Sequence, residues 1–268
     1  MLLRWLKDRR RRQLRAAPFP EAWQQILLSN VAMSTRLTDA EQDRLCGDIQ
    51  VLVAEKNWEG CNGVVMTDEI KVTIAAQISL LVLAFEEQFF DNVLSILVYP
   101  HSYTTRGAME APGGLIVQGE SLVIGQAVYR GPVILSWPDV IDGARGPNWG
   151  RNVVFHEFAH QLDMLNGRNV DGNPPLETRE QFDRWQQVND AEYARLTHAC
   201  RLGHPTLLDC YGATNRAEFF AVATECFFQL PHEFAEIHPE LYDVLRTFYK
   251  QDPGLRVTHQ REVTPSGQ

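Results

Sequence analysis

The chain predicts an α+β fold, with strands gathered in the first half and helices in the second, and three observations support this. Short apolar runs broken by Gly and Pro occupy residues 93–137. Helical periodicity dominates from about residue 148 onward. Where the two regimes meet, His156-Glu157-Phe158-Ala159-His160 lies on a stretch whose apolar residues Val153, Val154, Phe158, Leu162 and Leu165 recur at helical spacing. Strands followed by helices, without regular alternation, mark the α+β class.

The elements follow in order. Residues 1–16 form a basic arm, Arg-rich and without the continuous apolar core of a secretory signal. Such an arm either touches an anionic membrane or an acidic partner weakly, or is a frayed, solvated helix. Residues 17–262 are expected to fold as a single domain, strand-containing to about 137 and helical from about 148. Residues 70–85 predict a buried helix capped near Thr67-Asp68-Glu69, interrupted by Lys71 and Gln77 and too short to cross a bilayer. Residues 93–98, 114–117, 121–124 and 132–137 predict short strands. The motif helix should run about 18 residues, from Pro147-Asn148 to a stop at Asn166-Gly167. Further helices are expected around 181–202, through Glu218, and over 239–249.

Composition narrows the function. A net charge of −9 argues against a general nucleic-acid binder, which needs a basic face for phosphates. The cysteines Cys46, Cys61, Cys200, Cys210 and Cys226 are scattered, with no CxxC pair, and read as free thiols in a reducing cytoplasm. Zinc ligation by Cys200 or Cys210 would lack a partner pattern. His101, His198, His204, His232, His238 and His259 read as surface or internally satisfied histidines.

The chemistry concentrates on the motif. Residues four apart on a helix differ by about 40° around the axis, so His156 and His160 can reach one zinc ion while Glu157, to the side, polarises a water. A third ligand is needed. Asp163, one turn on, either supports an imidazole or faces water, and Glu177 and Glu180 read as solvated. Glu218 sits in the apolar run Asn215 to Phe228, where a carboxylate is costly unless paired or metal-bound. It is equally the N3 residue of a capping box opened by Asn215. Glu225 is about 10 Å further along that helix, too far for the same ion, and fits either a partner to a ligand or one half of a buried ion pair better. Tyr211, just ahead of Asn215, is either a phenol donor to a developing oxyanion or a half-buried tyrosine bonded to backbone.

The run His156 to Asp163, then Tyr211, then Glu218-Phe219-Phe220-Ala221, resembles the gluzincin-type zinc metallopeptidases of the Mlc titration factor A family, whose active site is similar to that of the anthrax lethal factor protease. The likeness extends from Phe19-Pro20-Glu21-Ala22-Trp23 to Phe248-Tyr249-Lys250-Gln251-Asp252-Pro253. It implies a zincin-like fold, with a small mixed sheet, an active-site helix and a mainly helical C-terminal half. It implies one zinc per chain held by His156, His160 and Glu218, with Glu157 as general base and Tyr211 assisting the oxyanion. The wider gluzincin class often has a carboxylate one turn after the third ligand; Val222 stands there, leaving the partner of the histidines open. In zincin-like folds the substrate adds as a strand at a sheet edge, and residues 133–137 are either that edge or a fully paired interior strand.

Two functions are therefore expected. One is hydrolysis of short peptides, aminopeptidase-like, in a bacterial cytoplasm. The other is binding of the glucose-responsive repressor Mlc, with peptidase activity secondary; an exposed apolar patch around Phe234 and Tyr242 would favour it. Hydrolysis of non-peptide amides is a third, weaker option.

Overall fold

A computed structural model describes residues 2–86, 88–101, 108–111, 115–118, 131–167 and 170–256. The first helix, α1 (Leu2–Ala16), is the basic segment, and it is docked. Arg11 is buried between Glu55 and Asp91, at 2.6 and 2.5 Å, with its guanidinium 4.4 Å from the Phe89 ring centroid. Arg15 pairs with Asp48 at 2.5 Å. With Lys7, which reaches Asp91 at 2.8 Å, three of the seven basic residues of 1–16 are engaged in intramolecular pairs, which a reading of this segment as a free arm does not anticipate.

After α2 (Glu21–Asn30), helix α3 (Asp39–Glu55) begins at a complete capping box between Thr38 and Glu41. Lys56 follows it, buried, donating through Nζ to the carbonyls of Phe89, Phe90 and Val93 at 2.6 to 2.9 Å. Burial depresses the Lys56 pKa to about 8, against the pull of Asp91 and Glu55.

The sheet has the order β1 (Asn57–Gly60), β2 (Ser95–Tyr99), β5 (Val133–Ser136), all parallel. The β1–β2 crossover is carried by α4 (Asp68–Leu81), as parallel neighbours require. Its predicted cap is present: Thr67 Oγ1 accepts from the Ile70 amide at 3.3 Å. Ile96 and Val98 on β2, and Val133 and Leu135 on β5, are buried. A separate antiparallel pair is formed by β3 (Ala108–Ala111) and β4 (Leu115–Gln118). The α+β class holds, but in place of one mixed sheet the described residues form a parallel sheet and a separate antiparallel strand pair. Strand β1 is too short and too polar to have been read as a strand. The strand expected at 121–124 lies outside the described residues. Among the described residues β5 pairs with β2 alone, which fits the edge alternative for 133–137, although Trp137 already opens α5 (Trp137–Arg145).

The C-terminal half is helical as expected, with α6 (Val153–Asp163), α7 (Arg179–Arg201), α8 (Arg216–Gln229), α9 (Pro231–Ile237) and α10 (Pro239–Tyr249). Every residue of α8 from Ala217 to Gln229 is buried, because α8 is apolar on all faces and neighbouring elements surround it. Phe155 of α6 meets Phe228 of α8 with ring centroids 5.1 Å apart, and Phe220, Phe227 and Phe228 continue into Phe248 and Tyr249. Phe234 and Tyr242 belong to the same core, at 0% and 8% exposure. The exposed patch expected around them is thus absent: their helices turn those rings inward against Phe227.

The cysteine reading also needs correction. Cys200 and Cys210 form a disulfide, while Cys46, Cys61 and Cys226 are free. The chain reverses after α7 and brings the two Cα atoms to 5.7 Å, a proximity that the spacing of cysteines in sequence does not reveal.

Candidate metal centre

The motif helix is shorter than its periodicity predicts. Pro147-Asn148 do not open it; Asn148–Gly150 form a separate 3-10 turn with Asn148, Trp149 and Gly150 all at positive φ. Helix α6 begins at Asn152, whose Oδ1 accepts from the Phe155 amide at 3.0 Å. The same side chain donates through Nδ2 to Gln77 Oε1 (2.8 Å) and the Gly143 carbonyl (3.1 Å), tying the start of α6 to α4 and α5. The helix ends at Asp163, the remaining apolar residues to Asn166 continuing as a 3-10 turn.

From this fixed start, His156 and His160 project one turn apart toward α8. Their Nε2 atoms are 3.3 Å apart, and Glu218 Oε2 lies 3.0 Å from the first and 3.4 Å from the second. Three ligand atoms at about 2.0–2.1 Å from one tetrahedral zinc would be about 3.3–3.4 Å from each other, so the spacing suits an ion between them. Glu218 is at N3 of α8, and Asn215 Oδ1 accepts from its amide at 3.0 Å. The capping alternative for Glu218 is realised in the backbone alone: its amide is capped, while its carboxylate faces the imidazoles instead of closing the box.

Satisfaction of the polar atoms points the same way. Glu218 Oε2 is buried without an aligned hydrogen-bond donor, although two imidazole nitrogens approach it. Such a cluster of lone pairs fits a shared cation. Burial opposes a charged Glu218, yet the two histidines hold its carboxyl down at about 2. Burial likewise acts to lower the His156 pKa, but Glu225 and Glu218 outweigh it and raise it well above the ordinary value. The negative field that favours a proton there favours a metal cation equally.

Glu225 supplies the partner that Val222 left open. His156 donates through Nδ1 to Glu225 Oε1 at 2.8 Å, which leaves the Nε2 lone pair facing Glu218 and His160. The other oxygen of Glu225 accepts from the Asn152 amide at 2.5 Å. One carboxylate on α8 therefore sets both the tautomer of His156 and the start of the helix carrying it. Replacing it with an isosteric amide should weaken metal binding by about 10- to 100-fold, measured by chelator competition on Glu225→Gln, with the fold kept. Unchanged affinity would leave Glu225 with a helix-anchoring task only.

Glu157 is partly buried beside this group. Burial raises its pKa, helped by Glu218 and Glu225 and opposed by the two histidines. Tyr211 is in the 3-10 turn Cys210–Ala213, with its ring centroid 6.0 Å from that of His156 and 40% of its surface exposed. Its amide donates to Asp209 Oδ1 at 2.9 Å. Tyr211, His156, Glu225 and Val222 share a cleft of about 1180 Å³ with Trp149 and residues 206–210. Asp163 does not face water: it is fully buried, accepts from the Gly172 amide at 2.7 Å and lies within electrostatic reach of His160. Burial pushes its carboxyl up to about 6, against that hydrogen bond. Gly172, at φ +79°, comes so close to the start of α8 that a Cβ would meet the Arg216 carbonyl at 2.4 Å. Asp163 thus pins the loop after the motif helix.

Sequence reasoning missed Asn152 as the cap, although Asn three residues before Phe155 is a readable N-cap position. It also missed the Arg151–Asp209 ion pair at the cleft, which no local pattern signals.

A largely buried His-His-Glu cluster beside a half-buried glutamate, in an α+β frame, points to the metallopeptidases as a class. Residues 5–250 match the glucose-regulated metallo-peptidase M90 family, and the chain belongs to it. An uncharacterized protein of Synechocystis sp. is 39% identical over 251 residues, covering 93% of this chain and 90% of that protein. Mlc titration factor A of Edwardsiella ictaluri is 34% identical over 250 residues, covering 92% of each. The protein of the same name from Serratia proteamaculans is 32% identical over 237 residues, covering 88% of each. Among the described residues no helix is long and apolar enough to cross a membrane.

Proposed function

We propose that this chain is a zincin-like, zinc-dependent metallopeptidase of a bacterial cytoplasm that hydrolyses short peptides, acting aminopeptidase-like on a free N-terminus. The observation that supports this reading is the convergence of His156, His160 and Glu218 to mutual separations of 3.0–3.4 Å on two packed helices. These three residues would hold one zinc per chain. Zinc bound there supplies Lewis acidity to a substrate carbonyl and lowers the pKa of an attacking water. Glu157 takes the proton from that water and hands it to the leaving amine, a task suited to a carboxylate with a raised pKa. The Tyr211 hydroxyl donates to the developing oxyanion. The side of β5 that carries no strand among the described residues accepts the extended substrate backbone. Zinc-loaded protein should cleave members of a peptide library with free N-termini and spare their N-acetylated counterparts. No zinc-dependent cleavage of any peptide sinks the reading, and equal cleavage of blocked peptides removes its aminopeptidase part.

Tyr211→Phe removes one donor and almost no volume. Turnover should fall about 10²–10³-fold, with the melting temperature nearly unchanged. A normal rate beside a lowered melting point would make Tyr211 structural.

A second reading, sequestration of the repressor Mlc, is favoured by the name of the relatives, Mlc titration factor A. A stable interface usually buries about 1,600 Å², more than a cleft of this kind offers, so contacts remote from the metal would carry the affinity. Glu157→Gln should then bind purified Mlc as tightly as native protein in calorimetry. Binding that disappears with the base, or that an active-site inhibitor displaces, makes the repressor a substrate instead. With a net charge of −9, direct binding of nucleic acid is not part of either reading.

A further inference from the structure

Residues 206–211 wall one side of the cleft that holds His156 and Glu225. This wall is the far arm of the loop closed by the Cys200–Cys210 disulfide. Cys200 lies in the last turn of α7, and Cys210 opens the turn bearing Tyr211, so the bridge is bonded to the residue adjacent to that phenol. The far end of the turn is held independently. Tyr193 of α7 donates through its hydroxyl to the Ala213 carbonyl at 3.1 Å, and Gly212 packs against Leu196 and Val222. The near end is held by the bridge, by buried Leu208, and by Asp209, which accepts from the Tyr211 amide and pairs with Arg151. The residues proposed as metal ligands are on α6 and α8, outside the bridged loop.

We propose that the Cys200–Cys210 disulfide is a positioning element of this site: closed, it holds residues 206–211 and the Tyr211 phenol against the cleft, and opened, it loosens that wall and lowers turnover without releasing the metal. The inference rests on the metallopeptidase reading. Opening takes two electrons and two protons from a dithiol: the S–S bond breaks, two cysteine thiols form, and the dithiol becomes a disulfide. Cys210 is exposed and Cys200 partly so, which makes the bridge accessible to such a donor. Disulfides in reducing compartments are mostly transient and redox-sensing, so in a cytoplasm this one would couple hydrolysis to thiol poise.

The test uses the full-length zinc-loaded protein and a phosphine reductant, which becomes the phosphine oxide; dithiols are avoided because they bind zinc. Titratable thiols should rise from the three free cysteines to all five. Turnover should fall about tenfold, since slight misplacement of a positioned group costs up to about 10² and full loss of an oxyanion donor 10²–10³. Zinc content should not change. The Cys200→Ser/Cys210→Ser double variant should show the reduced rate and ignore the phosphine. In Tyr211→Phe, reduction should cost less than about twofold, because both changes remove one contribution. Amide exchange over 206–213 should quicken on reduction while that of α6 stays constant, a readout that needs no hydrolysis. Five thiols in the untreated protein, or native turnover and exchange after full reduction, overturn the proposal. So does Tyr211→Phe losing as much on reduction as the native protein. If the oxidised protein cleaves no peptide at all, the functional reading fails, and exchange still decides whether the bridge orders the wall.

Discussion

Glu157→Gln should retain zinc and the fold while losing about 10²–10⁴-fold in turnover, the range for removing acid–base assistance. The substitution preserves shape, so the result isolates the proton-accepting function. Glu157 is on α6 between the two histidines in sequence, and it is not part of the group of converging ligand atoms. Its raised pKa has burial as the leading cause, with Glu218 and Glu225 adding to it. An amide in that place cannot take a proton from water at any pH in the working range. Metal analysis and peptide turnover on one preparation check the prediction. Native-rate cleavage, or loss of zinc from the variant, refutes the assignment of Glu157 as base.

Glu218→Ala should release the metal and with it nearly all turnover, about 10⁴-fold or more, since the Lewis acid itself is lost. The helix should survive, because the Asn215 cap bonds to the backbone amide at position 218 and not to its carboxylate. His160→Ala and His156→Ala should lose zinc likewise. The sharp contrast is with Glu225→Gln, which should only weaken binding. Should Glu218→Ala keep full-affinity zinc while the Glu225 variant loses it, the two carboxylates have been given each other's roles. Zinc content by mass spectrometry under native conditions, with circular dichroism as the fold control, decides this.

Much of this site is legible without coordinates because its parts are local. Two histidines four apart need only a helix to face the same way, and the apolar spacing around them supplies that helix. Glu218 is conspicuous because an unpaired carboxylate in a run such as Ala217 to Phe228 is costly, so its presence implies a partner. Thr67 and Asn215 act as caps through bonds three residues long, readable from neighbours in sequence. The α+β class follows similarly, from the order of short apolar runs and helical periods.

What tertiary structure alone decided are the relations between segments far apart in the chain. Glu225 meets His156 across a sequence separation of 69, and its second oxygen reaches the amide of Asn152. Helix rise excluded Glu225 from the same ion as Glu218 and left it a partner's part, but could not say which residue it meets. The docking of α1, the inward turn of Phe234 and Tyr242, and the Cys200–Cys210 bridge depend on how helices pack, which is set by the sum of many weak apolar contacts and not by any one motif. The length of α6 was likewise settled from outside, by Gln77, Gly143 and Glu225 gripping Asn152 where periodicity alone would have run the helix back to Pro147. Sequence singled out His156, His160 and Glu218, which the fold brings together as a group able to hold a metal, because a motif's spacing and the cost of burying charge are local properties. Packing determined which partners hold those side chains in place, because the partners come from elements brought together only when the core closes.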